Sequence, residues 1–461
     1  TTLFRSGQKK TKNYSMNLSE GSIIKKLFLF AMPLIASGIL QLFFNAADVI
    51  VVGKFAGDNA LAAVGSNSSI INLLINVFMG LSVGANVLVA QFFAGKQEEE
   101  LRKTVHTAIT VSVVCGAFLA VVGFIAARQL LTWMQSPPEV ISLSTLYLRI
   151  YFLGMPANMA YNFGAAILRG IGDTKRPLYY LTFAGVVNVV LNMILVILFH
   201  MDVAGVAIAT VVSQIVSAVL VLRCLMKEEG AVRLETQYLG IDKHILVKII
   251  QIGLPAGVQG SLFSLSNVII QSSVNSFGAT IVAGNSAAQN VEGFAYIAMN
   301  AFSQATVAFV SQNVGAGKYE RINRVIVITM LSVCAIGLVF GNALYIFGEP
   351  VLGMYSDNPL VIQAGLKRLS IICTTYALCG MMDCMVGALR GLGYSVMPMI
   401  VSLLGACAFR MAWIFIFFQI DRFHTIDTVY FAYPISWTLT VSVHMICFLV
   451  IRKKLKKKWG V

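Results

Sequence analysis

The sequence predicts an all-α integral membrane protein with twelve transmembrane helices in two pseudo-symmetric six-helix lobes. Three features predict it. Apolar stretches of bilayer-spanning length follow one another along the whole chain, basic residues gather in every second connection, and the second half repeats motifs of the first at an almost fixed spacing. Of the 461 residues, 57% are apolar and 12% charged, against about 25% charged in an ordinary soluble domain. A soluble core interleaves charged surface at helical period, and these stretches do not.

A helix needs about 20 apolar residues to cross a bilayer. Spans are therefore predicted at 27–52, 61–94, 104–131, 140–167, 177–200, 204–226, 244–276, 280–313, 322–347, 360–388, 396–420 and 429–451. The runs are too long for membrane strands and lack their alternation.

Basic residues set the orientation. Arg5, Lys9, Lys10, Lys12, Lys25 and Lys26 precede span 1, and Arg452, Lys453, Lys454, Lys456, Lys457 and Lys458 follow span 12. Lys96, Arg102 and Lys103 follow span 2; Arg169, Lys175 and Arg176 follow span 4. Span 6 is followed by Arg223, Lys227, Arg233, Lys243 and Lys248, span 8 by Lys318, Arg321 and Arg324, and span 10 by Arg390. The opposite connections hold Lys54 and Arg422, with Arg128, Lys367 and Arg368 near span ends. Both termini are expected on the cytoplasmic side, which requires an even number of spans. Because the basic N-terminus runs straight into a full-length span, it reads as a membrane helix rather than a cleavable signal peptide.

The internal repeat fixes the larger plan. Met32-Pro33 recurs as Leu254-Pro255, Asn45 as Asn267, Phe55 as Phe277, Ala94-Gly95-Lys96 as Ala316-Gly317-Lys318 and Arg102 as Arg324, all at an offset of 222. Leu168-Arg169-Gly170-Ile171-Gly172 recurs as Leu389-Arg390-Gly391-Leu392-Gly393, and Pro177 as Pro398, at 221. The expected division is an N-terminal lobe at 1–227, a charged cytoplasmic linker at 228–243 and a C-terminal lobe at 244–461. Each half has an even number of spans, so the repeats are parallel, and two such bundles can rock about a cavity between them.

Ionisable residues inside spans are costly and mark candidate sites. The acids are Asp48 in span 1, Glu292 in span 8 and Asp383 in span 10; the bases are Arg149 in span 4, Arg410 in span 11 and His444 in span 12. Asp48 sits among Asn45-Ala46-Ala47 and Val49-Ile50-Val51-Val52, a desolvated setting suited to taking up and releasing protons; a structurally paired carboxylate is the alternative. Glu292 and Asp383 share their half with Arg410, which could neutralise one of them. Arg149 reads equally as a snorkelling or paired residue, and His444 as a hydrogen-bonded packing residue. Asn188 and Asn192 lie one turn apart on one face of span 5, as do Asn158 and Asn162 on span 4; span 6 adds Thr210 and Gln214. Such amides also serve as helix–helix glue. With Asp48 they form a polar pocket suited to a proton relay or to a sodium ion held by oxygen ligands.

Other chemistries find no support. The net charge of +14 is spread over connections rather than gathered in a nucleic-acid patch. Eight cysteines fall in or beside apolar stretches with no metal-type Cys-x-x-Cys pair, and read as packing residues. Gly80, Gly84 and Gly95 read as close-packing or cap glycines, since no phosphate-binding Gly-x-x-x-x-Gly-Lys-Ser/Thr sequence is present. No nucleophile–base motif, metal cluster or cofactor site points to an enzyme.

The stretch from Pro33 through Asp48 to Val64-Gly65, the Gly80…Gln91…Ala94-Gly95-Lys96 segment and the Leu-Arg-Gly repeat together resemble the multidrug and toxic compound extrusion (MATE) family, and its prokaryotic DinF-like branch in particular, over essentially the whole chain. The resemblance implies a monomeric exporter of small, often cationic and amphiphilic compounds in a bacterial plasma membrane, driven by proton or sodium antiport. It aligns Asp48 with the family's span-1 acid and Pro33 with the proline where that helix bends. Gln41, Asn162, Asn188 and Thr210 match network positions, giving Asp48, Asn188, Asn192 and Thr210 as a candidate sodium site. Asn192 stands where some members carry a second acid. In the C-terminal lobe, span 7 lacks the acid another branch uses, and Asp383 is displaced by about one turn from that branch's span-10 acid. Glu292, Asp383 and Arg410 are the substrate candidates there. A flippase for lipid-linked oligosaccharides is the alternative within the same superfamily; it calls for a strongly cationic cavity, for which only Arg149 and Arg410 are at hand.

Overall fold

A computed structural model describes residues 14–134 and 136–459; Arg5, Lys9, Lys10, Lys12 and the side chain of Lys458 lie outside the described residues. The regular elements among those residues are all helices, with no strand among them. The first half comprises α1 (Ile23–Phe55), α2 (Asp58–Ala94), α3 (Glu98–Trp133), α4 (Pro138–Leu153), α5 (Met155–Gly170), α6 (Lys175–Asn192) and α7 (Asp202–Met226). The second comprises α8 (Lys243–Asn275), α9 (Ala279–Gly315), α10 (Tyr319–Ile346), the short α11 (Gly348–Gly353), α12 (Pro359–Ile372), α13 (Tyr376–Gly391), α14 (Val396–Ser402), α15 (Phe409–Ile416) and α16 (Ile426–Trp459). Eleven stretches among them are long and apolar enough to cross a bilayer, and the bent pair α4–α5 makes the twelfth.

Four predicted spans are interrupted. Span 4 bends by 48° between α4 and α5, where Pro156 has no N–H to continue the helix. In span 10 a 3-10 turn at Cys373–Thr375 separates α12 from α13, and the hydroxyls of Thr374 and Thr375 bond carbonyls of Ser370 and Ile371, a pairing that bends helices. Span 11 carries a π turn, Leu403–Ala408, between α14 and α15; span 5 carries another, Met193–Leu198, directly after Asn192. Span 1 is one helix that runs unbroken through Pro33.

The two halves share backbone devices. Left-handed residues recur at Gly57 and Gly278 (φ 89° and 93°), at Gly172 and Gly393 (89° and 91°), and at Lys96 and Gly317 (55° and 68°). Each lies 221 positions after its counterpart, as do the ends of α2 and α9. This corrects the sequence alignment beyond Phe55: Ala94-Gly95-Lys96 does not superpose on Ala316-Gly317-Lys318 but one residue earlier. The left-handed turn that glycine supplies in the second half is supplied in the first by Lys96.

Each half also lends a helix to the other. Ile245, Ile249 and Ile252 of α8 belong to the apolar core of the first half, while Leu27, Phe30 and Ala31 of α1 belong to the core of the second. At the face where both termini lie the halves meet backbone to backbone. A methyl group at Gly80 would stand 2.2 Å from the Gly257 nitrogen, and one at Gly84 2.3 Å from the Ile249 carbonyl oxygen. Two glutamines related by the repeat close the same seam reciprocally: Gln91 donates to the Gly391 carbonyl (3.1 Å) and Gln312 to that of Gly170 (2.8 Å). The segment before α1 is stitched to both halves. Met16 N–H donates to Ile171 of the first; Leu18 N–H donates to Gln312, Lys318 reaches Ser19 and Glu20, and Arg321 reaches the Gly21 carbonyl of the same segment. The 228–243 connection is likewise docked, with Ala231, Val232 and Leu234 buried and Glu235 N–H bonded to His106 Nε2 at 3.0 Å.

Candidate functional site

The first half gathers one carboxylate and several amides. Asp48 lies on α1 two turns before its end, half-buried. The one-turn spacing of Asn188 and Asn192 brings both amides from α6 onto it: Asn188 Nδ2 donates to its two oxygens at 3.1 and 3.3 Å, and Asn192 Nδ2 donates to Oδ1. No basic side chain lies within 4.0 Å of Asp48 among the described residues. The Oδ1 atoms of Asn188 and Asn192 and Oε1 of Gln214 are buried without a partner. An acid that takes a proton, or a small cation seeking hard oxygen ligands, suits this donor set; no group of three His, Cys, Asp or Glu able to hold a metal exists among the described residues.

Three predicted members stand apart. Thr210 donates to the Val206 carbonyl of its own helix (3.0 Å), Asn162 donates to the Asn158 carbonyl (2.8 Å), and Gln41 is exposed on α1 two turns before Asp48. The structure thus joins Asp48, Asn188 and Asn192, and places no contact from Thr210, Asn162 or Gln41 on the carboxylate. Arg149 Nε donates to the Phe124 carbonyl (3.2 Å), and its guanidinium lies over the Phe124 ring. His444 is buried and bonded to Ser402 at 3.0 Å, as expected of a packing residue.

A cavity of about 560 Å³, lined mainly by the second half with Asn76 of α2 on its wall, includes Asn267, Glu292, Arg368, Asp383, Arg410 and Trp437. Here the expected pairing is corrected. Glu292 pairs with Arg368, not Arg410: Nε and Nη2 of Arg368 meet its two oxygens at 2.7 and 2.9 Å, and Nη1 donates to Asn285 (2.8 Å). Arg368 had looked like a span-end charge because hydropathy marks a span's limit wherever a charge falls, and a neutralised guanidinium inside α12 gives the same signal. Arg410 instead donates through Nε to Ser436 (2.8 Å) and lies over Tyr433, 4.3 Å from the ring centroid, with Trp437 beyond at 5.8 Å. Asp383 has no ion-pair partner within 4.0 Å among the described residues. The aromatic wall of Tyr430, Tyr433 and Trp437 was missed; its i, i+3, i+7 spacing on α16 was the available signal.

A family model, MatE, matches residues 33–194 and again 255–416, one match to each half of the repeat. The chain is 28% identical over 430 residues to the probable multidrug resistance protein YoeA of Bacillus subtilis, covering 92% of this chain and 93% of that protein. It is 25% identical over 394 residues to the probable multidrug resistance protein YpnP of the same organism, covering 86% and 88%. Its fold matches the outward-facing structure of a multidrug resistance MATE family transporter of the MOP superfamily with a TM-score of 0.90, at 20% identity over 97% of this chain and 100% of the other. Two copies of one family motif, twelve membrane helices and a polar site in each half make this chain a member of the MATE family of multidrug transporters.

Proposed function

We propose that the protein is a secondary active exporter that moves small organic compounds across a bacterial plasma membrane in exchange for protons or sodium ions, with both termini in the cytoplasm and Asp48 as the coupling group. The observation that carries the reading is the Asp48 site, a membrane carboxylate held by two amide donors with no cationic side chain within 4.0 Å among the described residues. Such a group is costly while charged and unpaired, so capture of a proton or sodium ion changes its energy most.

The coupling follows from the hydrogen bonds. A proton or cation on Asp48 competes with the N–H groups of Asn188 and Asn192, so α1 and α6 shift relative to each other when it arrives. Substrate leaves on the far side, the seam at the terminal face opens, the ion exits inward and a new substrate enters. A potential of 100 mV supplies about 2.3 kcal/mol per charge moved. The cavity of the second half balances two acids against two arginines, unlike the strongly cationic chamber that a lipid-linked oligosaccharide flippase calls for.

The test uses proteoliposomes loaded with a fluorescent organic cation under an imposed pH or sodium gradient. Efflux should follow one of the two gradients and fall to the level of protein-free vesicles in Asp48→Asn, which should melt in detergent like the parent. Wild-type efflux by that variant would remove Asp48 from the mechanism, and lipid scrambling without gradient-driven efflux would replace the exporter with the flippase.

A further inference from the structure

The connection between the halves is held by two neighbouring side chains of α3. Glu235 N–H donates to Nε2 of His106 at 3.0 Å, and Asp242 N–H donates to the Thr107 hydroxyl at 3.1 Å. On its other side, His106 Nδ1 lies 2.8 Å from the Arg102 carbonyl. A backbone N–H can only donate and a carbonyl can only accept, so both ring nitrogens are assigned: Nδ1 carries the proton and Nε2 offers its lone pair. The residue is 3% exposed, and the Tyr238 ring meets the imidazole edge-on at 6.0 Å. The arrangement requires a neutral ring. A second proton, on Nε2, sets one N–H against another with no acceptor between them.

No carboxylate lies within 4.0 Å of the imidazole among the described residues. The elements packed here bring Arg102 and Lys103 on α3, Arg169 at the end of α5 and Lys248 on α8. The connection brings Tyr238 and Glu235, whose carboxylate takes the Gln237 amide at 3.0 Å. Asp242 caps α8 by accepting from Ile245 N–H, and His244 beside it is exposed. α2 carries only Asp58, at its far end.

We infer that His106 is a pH-operated clasp: a proton taken up on Nε2 releases the 228–243 connection and loosens the start of α8 from the first half. α8 begins at Lys243, directly after the clasped Asp242, and its Ile245, Ile249 and Ile252 are buried in the first half's core. Separation of the halves at the terminal face draws that start away from α3, and the clasp resists it. The Thr107 hydroxyl holds its point at any pH, so acid undoes one of the two fastenings and leaves the other. The inference does not depend on which ion drives export.

The test is hydrogen–deuterium exchange of the full-length protein in detergent at about pH 8 and about pH 6, corrected for the pH dependence of intrinsic exchange. In the wild type, peptides covering 228–243 and the start of α8 should lose protection about tenfold at the lower pH, the worth of one hydrogen bond. His106→Gln, whose amide oxygen reaches the place of Nε2 and does not titrate, should stay protected at both. His244→Gln should behave as the wild type, and peptides from the middle of α10 should not change. Wild-type protection that ignores pH would overturn the inference. So would a loss that persists in His106→Gln, one that vanishes in His244→Gln, one shared by α10, or release of 228–243 with no change at the start of α8. If His106→Gln does not fold, Glu235→Pro decides. It removes the N–H donor and keeps the imidazole, so the connection should exchange freely at both pH values; wild-type protection at about pH 8 would overturn the clasp. With neither gradient nor substrate present, no outcome depends on the export reading.

Discussion

The two halves of this chain are one backbone plan carrying two chemistries. Gly57 and Gly278 turn alike, Gln91 and Gln312 reach across the seam alike, and the same 221-position spacing sets Asn162 against Asp383 and Tyr147 against Arg368. The first half keeps a single carboxylate among amides; the second pairs Glu292 with Arg368 and sets Arg410 against rings. Backbone devices depend on geometry that both halves need to meet each other, so they survive in pairs. Side chains in the sites are free of that constraint, and there the halves part.

The comparison is sharpened most by removing one acid from each half. Glu292→Gln leaves Arg368 buried without its bidentate partner and should cost about 3–5 kcal/mol of stability, read as a large drop in melting temperature in detergent. Asp48→Asn, with no cationic partner to orphan among the described residues, should melt within a degree or so of the parent. Equal melting losses in the two variants would break the distinction between a structural pair and a working acid.

A smaller effect is expected at the seam. Gly80→Ala pushes a methyl group against Gly257 and should destabilise the closed terminal face by about 1–3 kcal/mol. Cysteines placed on the α2 and α8 surfaces beside the seam should then label faster with a membrane-impermeant reagent. Unchanged labelling would show that the face is held from elsewhere. The smallest effect concerns Asn192→Asp, which makes the first half carry two acids. Efflux should become more dependent on sodium, and unchanged dependence on both ions would show that the amide beside Asp48 does not tune the choice of ion.

Hydropathy and charge made the twelve spans legible, because a bilayer imposes the same length on every helix and excludes charge from its middle. Asn188 and Asn192 were legible as partners through their spacing alone, and their meeting with Asp48 followed once α1 and α6 were neighbours. What failed to show was anything depending on pairing across the fold. Arg368 looks like a span boundary until Glu292 is beside it, and Arg410 looks like the natural partner until Ser436 and Tyr433 are seen to hold it. The one-residue shift of the repeat was hidden because three identical letters, Ala-Gly-Lys, align better than the backbone does.

The stitching of the N-terminal segment has a mechanical consequence. α1 is a beam fastened at its two ends to different bodies. Near its start, Leu27 and Phe30 are buried in the second half's core, and the segment just ahead is tied by Gln312, Lys318 and Arg321; near its end, Asp48 is tied to α6 of the first half. In the export cycle proposed above, separation of the bodies at the terminal face would break the stitches to the first half there, Met16 to Ile171 and Thr174 to Phe30. The beam must then flex between its fastenings. Pro33 stands in that stretch, where the helix already lacks one rung of its ladder. In the proposed export cycle, an ion arriving at one end of this single helix would pull on the lock at the other, with the proline as the joint between them.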